Sequence, residues 1–442
     1  MSSASVSIRH YPHAVQGWWA VAVFTVAAGL SYTDRFILGV IVDPLRAELH
    51  LSDVQIGILQ GTAFAVLYSV IGLPFGRIAD LVPRRHLLVA AVALWSLGTV
   101  FCGISHSFGT LFASRLLVGV GEAALAPAAM SLIGDYFKPE FRALPTGIFF
   151  TGMVAGGGGA IAVGGFLLST AQHGAFSAIP IVGGLTPWRA VLAILGIAGF
   201  AVAALFLTLS EPGKRDFSSS ELRSRLLALG DVFAVFRRKY ALLLPLYGAM
   251  AIGSIVDYAI LSWTPALLSR RFALTPGEIG AGLGGVAVAA ALIGTPLGGA
   301  LADWIAKRFG PLARIRLCAA ALFAGLLAAP VGILSSPAAT LAAVFLWIAI
   351  SSLAGTIGIA TTLDLLSQES RGLGTATIAF CNTLVGLGLG PTLVAYATEH
   401  VYGTPSAVGM ALTTVVAPAI LISGLLFCLA AVAARGNSFA EA

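Results

Sequence analysis

Four ionisable side chains stand where water is scarce. Asp34 and Arg35 lie in an apolar run over about 18–42, and no Asp, Glu, Lys or Arg precedes them within it. Arg115 and Glu122 lie in a second run, over about 109–136. A charge at the centre of a bilayer costs at least ~2.5 kcal/mol, so a chain keeps one there when it faces a wet cavity or a partner charge. On a helix, Arg115, Gly119 and Glu122 fall at i, i+4 and i+7, which puts both charges on one face about 10 Å apart along the axis. Burial favours the protonated form of a carboxyl group, whereas a close guanidinium favours the ionised form. Asp34 and Glu122 are therefore candidates to take up and release a proton as a helix moves, and Arg35 and Arg115 are candidates for charge pairing with them or with a substrate. Two pairings fit equally: Arg35 with Glu122, or Arg115 at the level of Asp34.

Further along, Asp257 interrupts another apolar run, with Tyr258 as its neighbour in place of an arginine. Tyr32, Asp257, Tyr258 and Asn382 are the candidates to line a central cavity. Thr361, Thr362 and Tyr396 are read mainly as packing residues. The first half thus looks ionic and the second mostly apolar, an arrangement that suits an amphiphile with a polar head. No spacing of His, Cys, Asp or Glu fits a metal site, and no nucleophile–base set or phosphate loop is visible, so a membrane-embedded enzyme is disfavoured. A channel is disfavoured too, because one asymmetric ion-pair site suits occlusion better than an open ring.

The elements that must carry these residues are membrane helices. The chain has 442 residues, of which 58% are hydrophobic and only 10% charged, against about 25% charged in soluble domains; the mean hydropathy is +0.95. Continuous rather than alternating apolar runs favour helices over a closed barrel. The runs fall near 18–42, 54–78, 86–106, 109–136, 143–170 and 188–210, then 240–268, 276–302, 313–335, 338–366, 372–400 and 406–434. This predicts an all-α protein with an N-terminal six-helix bundle over 1–210, a cytoplasmic linker over 211–239 and a C-terminal six-helix bundle over 240–442. In the linker, Leu222, Leu226, Leu229, Phe233 and Phe236 predict an amphipathic helix on the inner leaflet, opened by the capping box Ser218-x-x-Glu221. Arg46, Arg189, Arg270 and Arg271 fall on one side and Arg35 and Arg115 within spans; the other Lys and Arg fall on the opposite side. That asymmetry predicts both termini in the cytoplasm. The net charge of +6 is thus topological, with no nucleic-acid partner expected. Cys102, Cys318, Cys381 and Cys428 all fall in apolar runs and read as small core residues. No cleavable signal peptide is expected.

The two halves repeat. A shift of 223 positions carries Asp34 to Asp257 and Ser52-x-x-Gln55 to Thr275-x-x-Glu278. It also carries Gly61 and Gly76 to Gly284 and Gly299, and Asp80 with Arg84-Arg85 to Asp303 with Lys307-Arg308. The Ser/Thr-x-x-Gln/Glu pieces are capping boxes that mark where helices 2 and 8 begin.

Gly76, Asp80, Arg84 and Arg85 resemble the loop signature between helices 2 and 3 of major facilitator transporters, with Pro83 where that family often has glycine. Arg115, Gly119, Gly121 and Glu122 resemble the same superfamily's helix-4 motif. Within it, Tyr32-x-Asp34-Arg35, Gly57-Ile58-Leu59-Gln60 and the stretch from Arg115 to Glu122 resemble the spinster family; the anion:cation symporters share a similar Tyr-x-Asp-Arg and helix-4 Gly-x-Glu. The resemblance implies a twelve-helix secondary transporter of major facilitator architecture, in which two six-helix bundles rock about a central cavity. It favours a helix 1–helix 4 contact through an arginine and Glu122. It implies an inner gate built from Asp80, Arg84, Arg85, Asp135 and Arg142, and a monomer integral to a cell membrane (the inner membrane, in a bacterium). The expected substrate is a lipid-like or amphipathic small molecule and the expected coupling ion the proton, with no cofactor. Proton-driven symport of a small organic anion, held by Arg35 and Arg115, is the alternative. Helix 5, with Gly152, Gly156 to Gly159, Gly164 and Gly165, weakly resembles the superfamily's antiporter motif without its usual proline; close helix packing accounts for it equally.

Overall fold

A computed structural model describes residues 12–180, 182–211, 237, 239–310, 313–366 and 371–438. Nearly all of the predicted 211–239 linker, with its amphipathic helix, lies outside the described residues. Twelve helices among the described residues are long and apolar enough to cross a membrane. The first six are α1 Ala14–Val40, α2 Asp53–Gly72, α3 Arg84–Ile104, α4 Phe108–Tyr136, α5 Pro139–Gln172 and α6 Pro187–Phe206. The second six are α7 Tyr240–Phe272, α8 Pro276–Phe309, α9 Ala313–Gly332, α10 Pro337–Leu365, α11 Gly374–Val401 and α12 Pro405–Ala434. They match the apolar runs within a few residues. Both described ends of the chain lie at one end of the bundle, called here the terminal end; the opposite end is the far end.

The repeat is written into the backbone. His50 and Ala273, 223 positions apart, both adopt left-handed backbone with φ of 52° and 55°. Such a residue stops one helix, and the cap of the next stands two residues later. Ser52 with Gln55, and Thr275 with Glu278, each form the complete reciprocal capping box, which satisfies amide groups that would otherwise lack acceptors. Within the next two turns both copies become irregular: the helix of α2 is interrupted at Gly61, and α8 carries a π turn over Gly280–Gly284.

Glycines let these helices meet. A Cβ on Gly119 would fall 2.7 Å from the Phe64 carbonyl oxygen, and one on Gly121 2.7 Å from that of Ala91, so α4 lies directly against α2 and α3. In α5, Gly152 and Gly156 face Thr25 and Tyr32 of α1, while Gly158 and Gly165 face α8. The glycine run thus lets α5 sit between α1 and α8. α4 itself is interrupted after Glu122 and resumes at Leu125. Pro127, which has no amide proton to continue the first segment, accounts for the break.

Candidate functional site

α1 and α4 bring the four intramembrane charges together. Arg35 Nε donates to Glu122 Oε2 at 2.8 Å, and Ser31 Oγ, one turn earlier on α1, donates to the same oxygen at 2.5 Å. Arg35 and Glu122 are 5% and 1% exposed. The structure therefore selects the Arg35–Glu122 pairing. Arg115 instead donates to two backbone carbonyls, Nη1 to that of Asp34 at 3.0 Å and Nε to that of Leu59 at 3.2 Å. The Arg35 guanidinium also lies 4.9 Å from the ring centre of Tyr32, 4.8 Å from that of Phe64 and 4.6 Å from that of Tyr68. Aromatic faces so placed stabilise a desolvated cation.

Hydrogen bonding at this site is incomplete. Glu122 Oε1 and Asp34 Oδ1 are buried with no hydrogen-bond partner, and an unpaired buried polar atom costs about 1–3 kcal/mol. Both carboxyl groups have an oxygen free to carry a proton.

A cavity of ≈ 490 Å³ lies between the halves, and the four predicted cavity residues, Tyr32, Asp257, Tyr258 and Asn382, all line it. Asp34, Arg35, Arg115 and Glu122 are not among the lining residues; Tyr32 is, and its ring is stacked against Arg35. The charge cluster thus sits one aromatic ring back from the cavity. Asp257 Oδ1 accepts from Trp347 Nε1 at 2.8 Å. Thr361 and Thr362 return their hydroxyl protons to carbonyls one turn earlier, and Tyr396 is 54% exposed and stacked on His400.

At the terminal end, Arg84 at the start of α3 pairs with Asp135 at the end of α4 and with Glu211, the latter at 3.0 Å. The second half repeats the device: Arg314 at the start of α9 pairs with Asp364 near the end of α10 and, at 3.5 Å, with Asp303. Arg85 Nη1 donates to the Leu209 carbonyl at 3.2 Å, and Arg142 donates to those of Phe137 and Gly134. The Asp80 side chain lies outside the described ones.

Sequence reasoning missed the far end. There Arg270 of α7 reaches across to Asp43 at 2.8 Å and Asp53 at 3.1 Å, both in the first half. Glu399 accepts from the Val54 amide at 3.0 Å, and Thr62 Oγ1 donates to the Gly388 carbonyl at 2.7 Å. In the sequence Arg270 reads only as a charge outside the spans; its repeat position, 223 residues earlier, is Ala47 and offers no signal. Ser31 and Trp347 carried no signal either, since nothing local marks a serine or tryptophan as a carboxylate partner.

The family model for the Major Facilitator Superfamily matches residues 24–391. An MFS-type efflux pump of Mycolicibacterium smegmatis is 26% identical over 98% of this chain and 96% of that protein. Protein spinster of Drosophila melanogaster is 26% identical over 68% of this chain, a match that spans 48% of the fly protein. In fold, the chain matches the crystal structure of a bacterial homolog to the human lysosomal transporter Spinster, in an inward-facing and unoccupied conformation. The TM-score is 0.78 at 23% identity, covering 96% of this chain and 97% of the other.

Proposed function

We propose, from the premise that the chain belongs to the Major Facilitator Superfamily and is a membrane transporter, that it is a secondary active transporter that moves a lipid-like or amphipathic organic molecule by alternating access and uses the proton as its coupling ion. The observation that carries this reading is the buried Arg35–Glu122 pair with a partnerless carboxyl oxygen on each of Glu122 and Asp34. While Arg35 pairs with Glu122, the carboxylate is compensated and stays ionised. When helix motion or substrate draws the guanidinium away, an uncompensated charge in hydrocarbon is costly and the carboxyl takes a proton. A proton that binds one state better than the other drives that state, which is what coupling requires. Tyr32 stands between this cluster and the cavity, so a substrate that displaces its ring reaches Arg35 directly. Symport of a small anion is less well supported, because Arg35 is engaged by Glu122 and Arg115 by two carbonyls.

The Lys and Arg asymmetry supports a cytoplasmic terminal end. On that reading the cross-half ties at the far end close the outside, and the state described is inward-facing. Reporter fusions at Ala442 and within 211–239 test the orientation; an outside signal from either reverses it. Coupling is tested in vesicles with a fluorescent acyl-chain probe. Glu122→Gln and Asp34→Asn each abolish accumulation driven by a pH gradient, while exchange at equal pH survives in at least one. Full pH-driven transport in both variants would sink the assignment.

A further inference from the structure

The ionisable groups of the membrane core do not balance. In the first half Asp34 and Glu122 are matched by Arg35 and Arg115, all four at most 5% exposed. In the second half Asp257 stands at the cavity wall without such a match. Among the described residues that line the cavity it is the one with a formal charge, and no Lys, Arg or His joins it there. Its hydrogen bond from Trp347, 2.8 Å, fixes the carboxylate's direction but brings no positive charge. A half-buried carboxylate with neutral donors alone, facing an enclosed cavity, is suited to a cation beside it.

The rest of the wall suits one. Asn382 adds a buried amide oxygen that has no hydrogen-bond partner, and Ser351 lies on the same wall. Phe36 stacks on Tyr258 with ring centres 5.9 Å apart, and Tyr32 tilts onto Phe36 at 6.2 Å. These rings offer π faces to a positive charge and apolar surface to whatever carries it. The volume of ≈ 490 Å³ lies within the ~300–1,000 Å³ typical of small-molecule sites.

We propose that Asp257 is the charge-recognition point for the substrate: the cavity takes an organic cation, an ammonium-type head on an apolar body, with the positive centre at Asp257 and the body against the Tyr32–Phe36–Tyr258 rings. This rests on the transporter reading of the cavity and is independent of which carboxyl group carries the proton. Substrate charge and coupling proton are then handled in different halves, the cation by α7 and the proton by α1 and α4.

The test uses two probes of the same shape and opposite charge, tetraphenylphosphonium and tetraphenylborate, in equilibrium binding to the purified full chain at one pH with no gradient. Wild type binds the phosphonium; Asp257→Asn weakens that binding roughly tenfold or more, as expected for losing an ionised partner. Asp257→Glu keeps the charge and most of the affinity, which guards against a variant that merely misfolds. The borate shows no preference for wild type over Asp257→Asn. The proposal is overturned if wild type fails to bind the phosphonium, if Asp257→Asn binds it as wild type does, or if Asp257→Glu loses as much affinity as Asp257→Asn. It is overturned as well if both probes bind wild type equally. Because no pH gradient is present, failure of the Glu122 and Asp34 coupling scheme leaves this readout unaffected. Loss of pH-driven transport in Asp257→Asn with unchanged phosphonium binding would give Asp257 to the proton instead.

Discussion

The two ends of the molecule use the same residue types in opposite ways. At the far end, Arg270 of the second half holds Asp43 and Asp53 of the first, and Glu399 holds the Val54 amide. At the terminal end, Arg84 holds Asp135 within the first half and Glu211 just after it, and Arg314 holds Asp303 and Asp364 within the second. Ties that cross between the halves set which face is shut. Ties within a half make each bundle end rigid enough to move as a body. Parting the far end therefore means breaking charge-assisted hydrogen bonds, the strong kind.

The largest expected effect comes from removing the bridge. Arg270→Ala leaves Asp53, 4% exposed, buried without its cross-half partner, at a cost on the order of 3 kcal/mol to the shut far end. That shifts the opening equilibrium on the order of a hundredfold. A single cysteine at Thr295 on the cavity wall, in a background lacking the native cysteines, should become far more reactive toward an impermeant maleimide added at the far side. An unchanged rate would mean that the apolar seam, not the ion pairs, keeps that end closed.

A wedge in the seam is the next largest. A Cβ on Gly57 would stand 2.6 Å from that of Ala395 and 2.9 Å from the Pro391 carbonyl oxygen of α11, so Gly57→Leu forces α2 and α11 apart at about 1–3 kcal/mol. The same cysteine should report far-side opening. Gly159→Ala, which meets nothing within 4 Å, should leave the rate as it was.

Arg84→Ala sharpens the contrast from the other end. It removes the guanidinium from Asp135 and Glu211, 17% and 22% exposed, and should lower the unfolding midpoint by an amount equivalent to about 1–3 kcal/mol. Far-side cysteine reactivity should not change. If it rises, the two ends are coupled through the bundle rather than separately built.

The smallest effect concerns a tie within the first half at the far end. Burial pushes the Glu48 carboxyl group up, but hydrogen bonds from Arg189, Trp188 and Thr186 outweigh it and hold the group below its usual range. Since the folded value is depressed, its stabilising contribution is present above the unfolded value near ~4.3. It is lost as pH falls through the lower folded value. The unfolding temperature of wild type should fall more steeply below pH ~4 than that of Glu48→Gln; parallel curves would show that Glu48 contributes nothing there.

The sequence made the spans and the repeat legible because hydrocarbon leaves little freedom: an apolar run of ~20 residues has one low-cost conformation. The capping boxes at Ser52 and Thr275 were legible because capping is local. Glu122 and Asp34 stood out because a charge in such a run needs a reason. Which arginine meets Glu122 did not, since one turn of uncertainty in depth spans both choices. The roles of Arg270, Ser31 and Trp347 depend on contacts between helices far apart in sequence. The π turns, including those over Asn382–Leu387 and Ala397–Val401, leave no mark on hydrophobic period because each disturbs it by a single residue.

The irregular stretches of α2 and α8 have a bearing on symmetry. Gly61 and Gly284 are separated by the same 223 positions that carry Asp34 to Asp257. The α2 helix is interrupted at Gly61, and the π turn of α8 ends at Gly284, so the irregular stretches meet at equivalent positions. Around them the contacts also correspond: Gly57 and Gly61 of α2 meet α11, and Gly280 and Gly284 of α8 meet α5, the fifth helix of the opposite half each time. These are the two equivalent halves of an isologous interface. The single chain thus keeps, between its two halves, the two-fold arrangement that a symmetric pair of identical subunits would have.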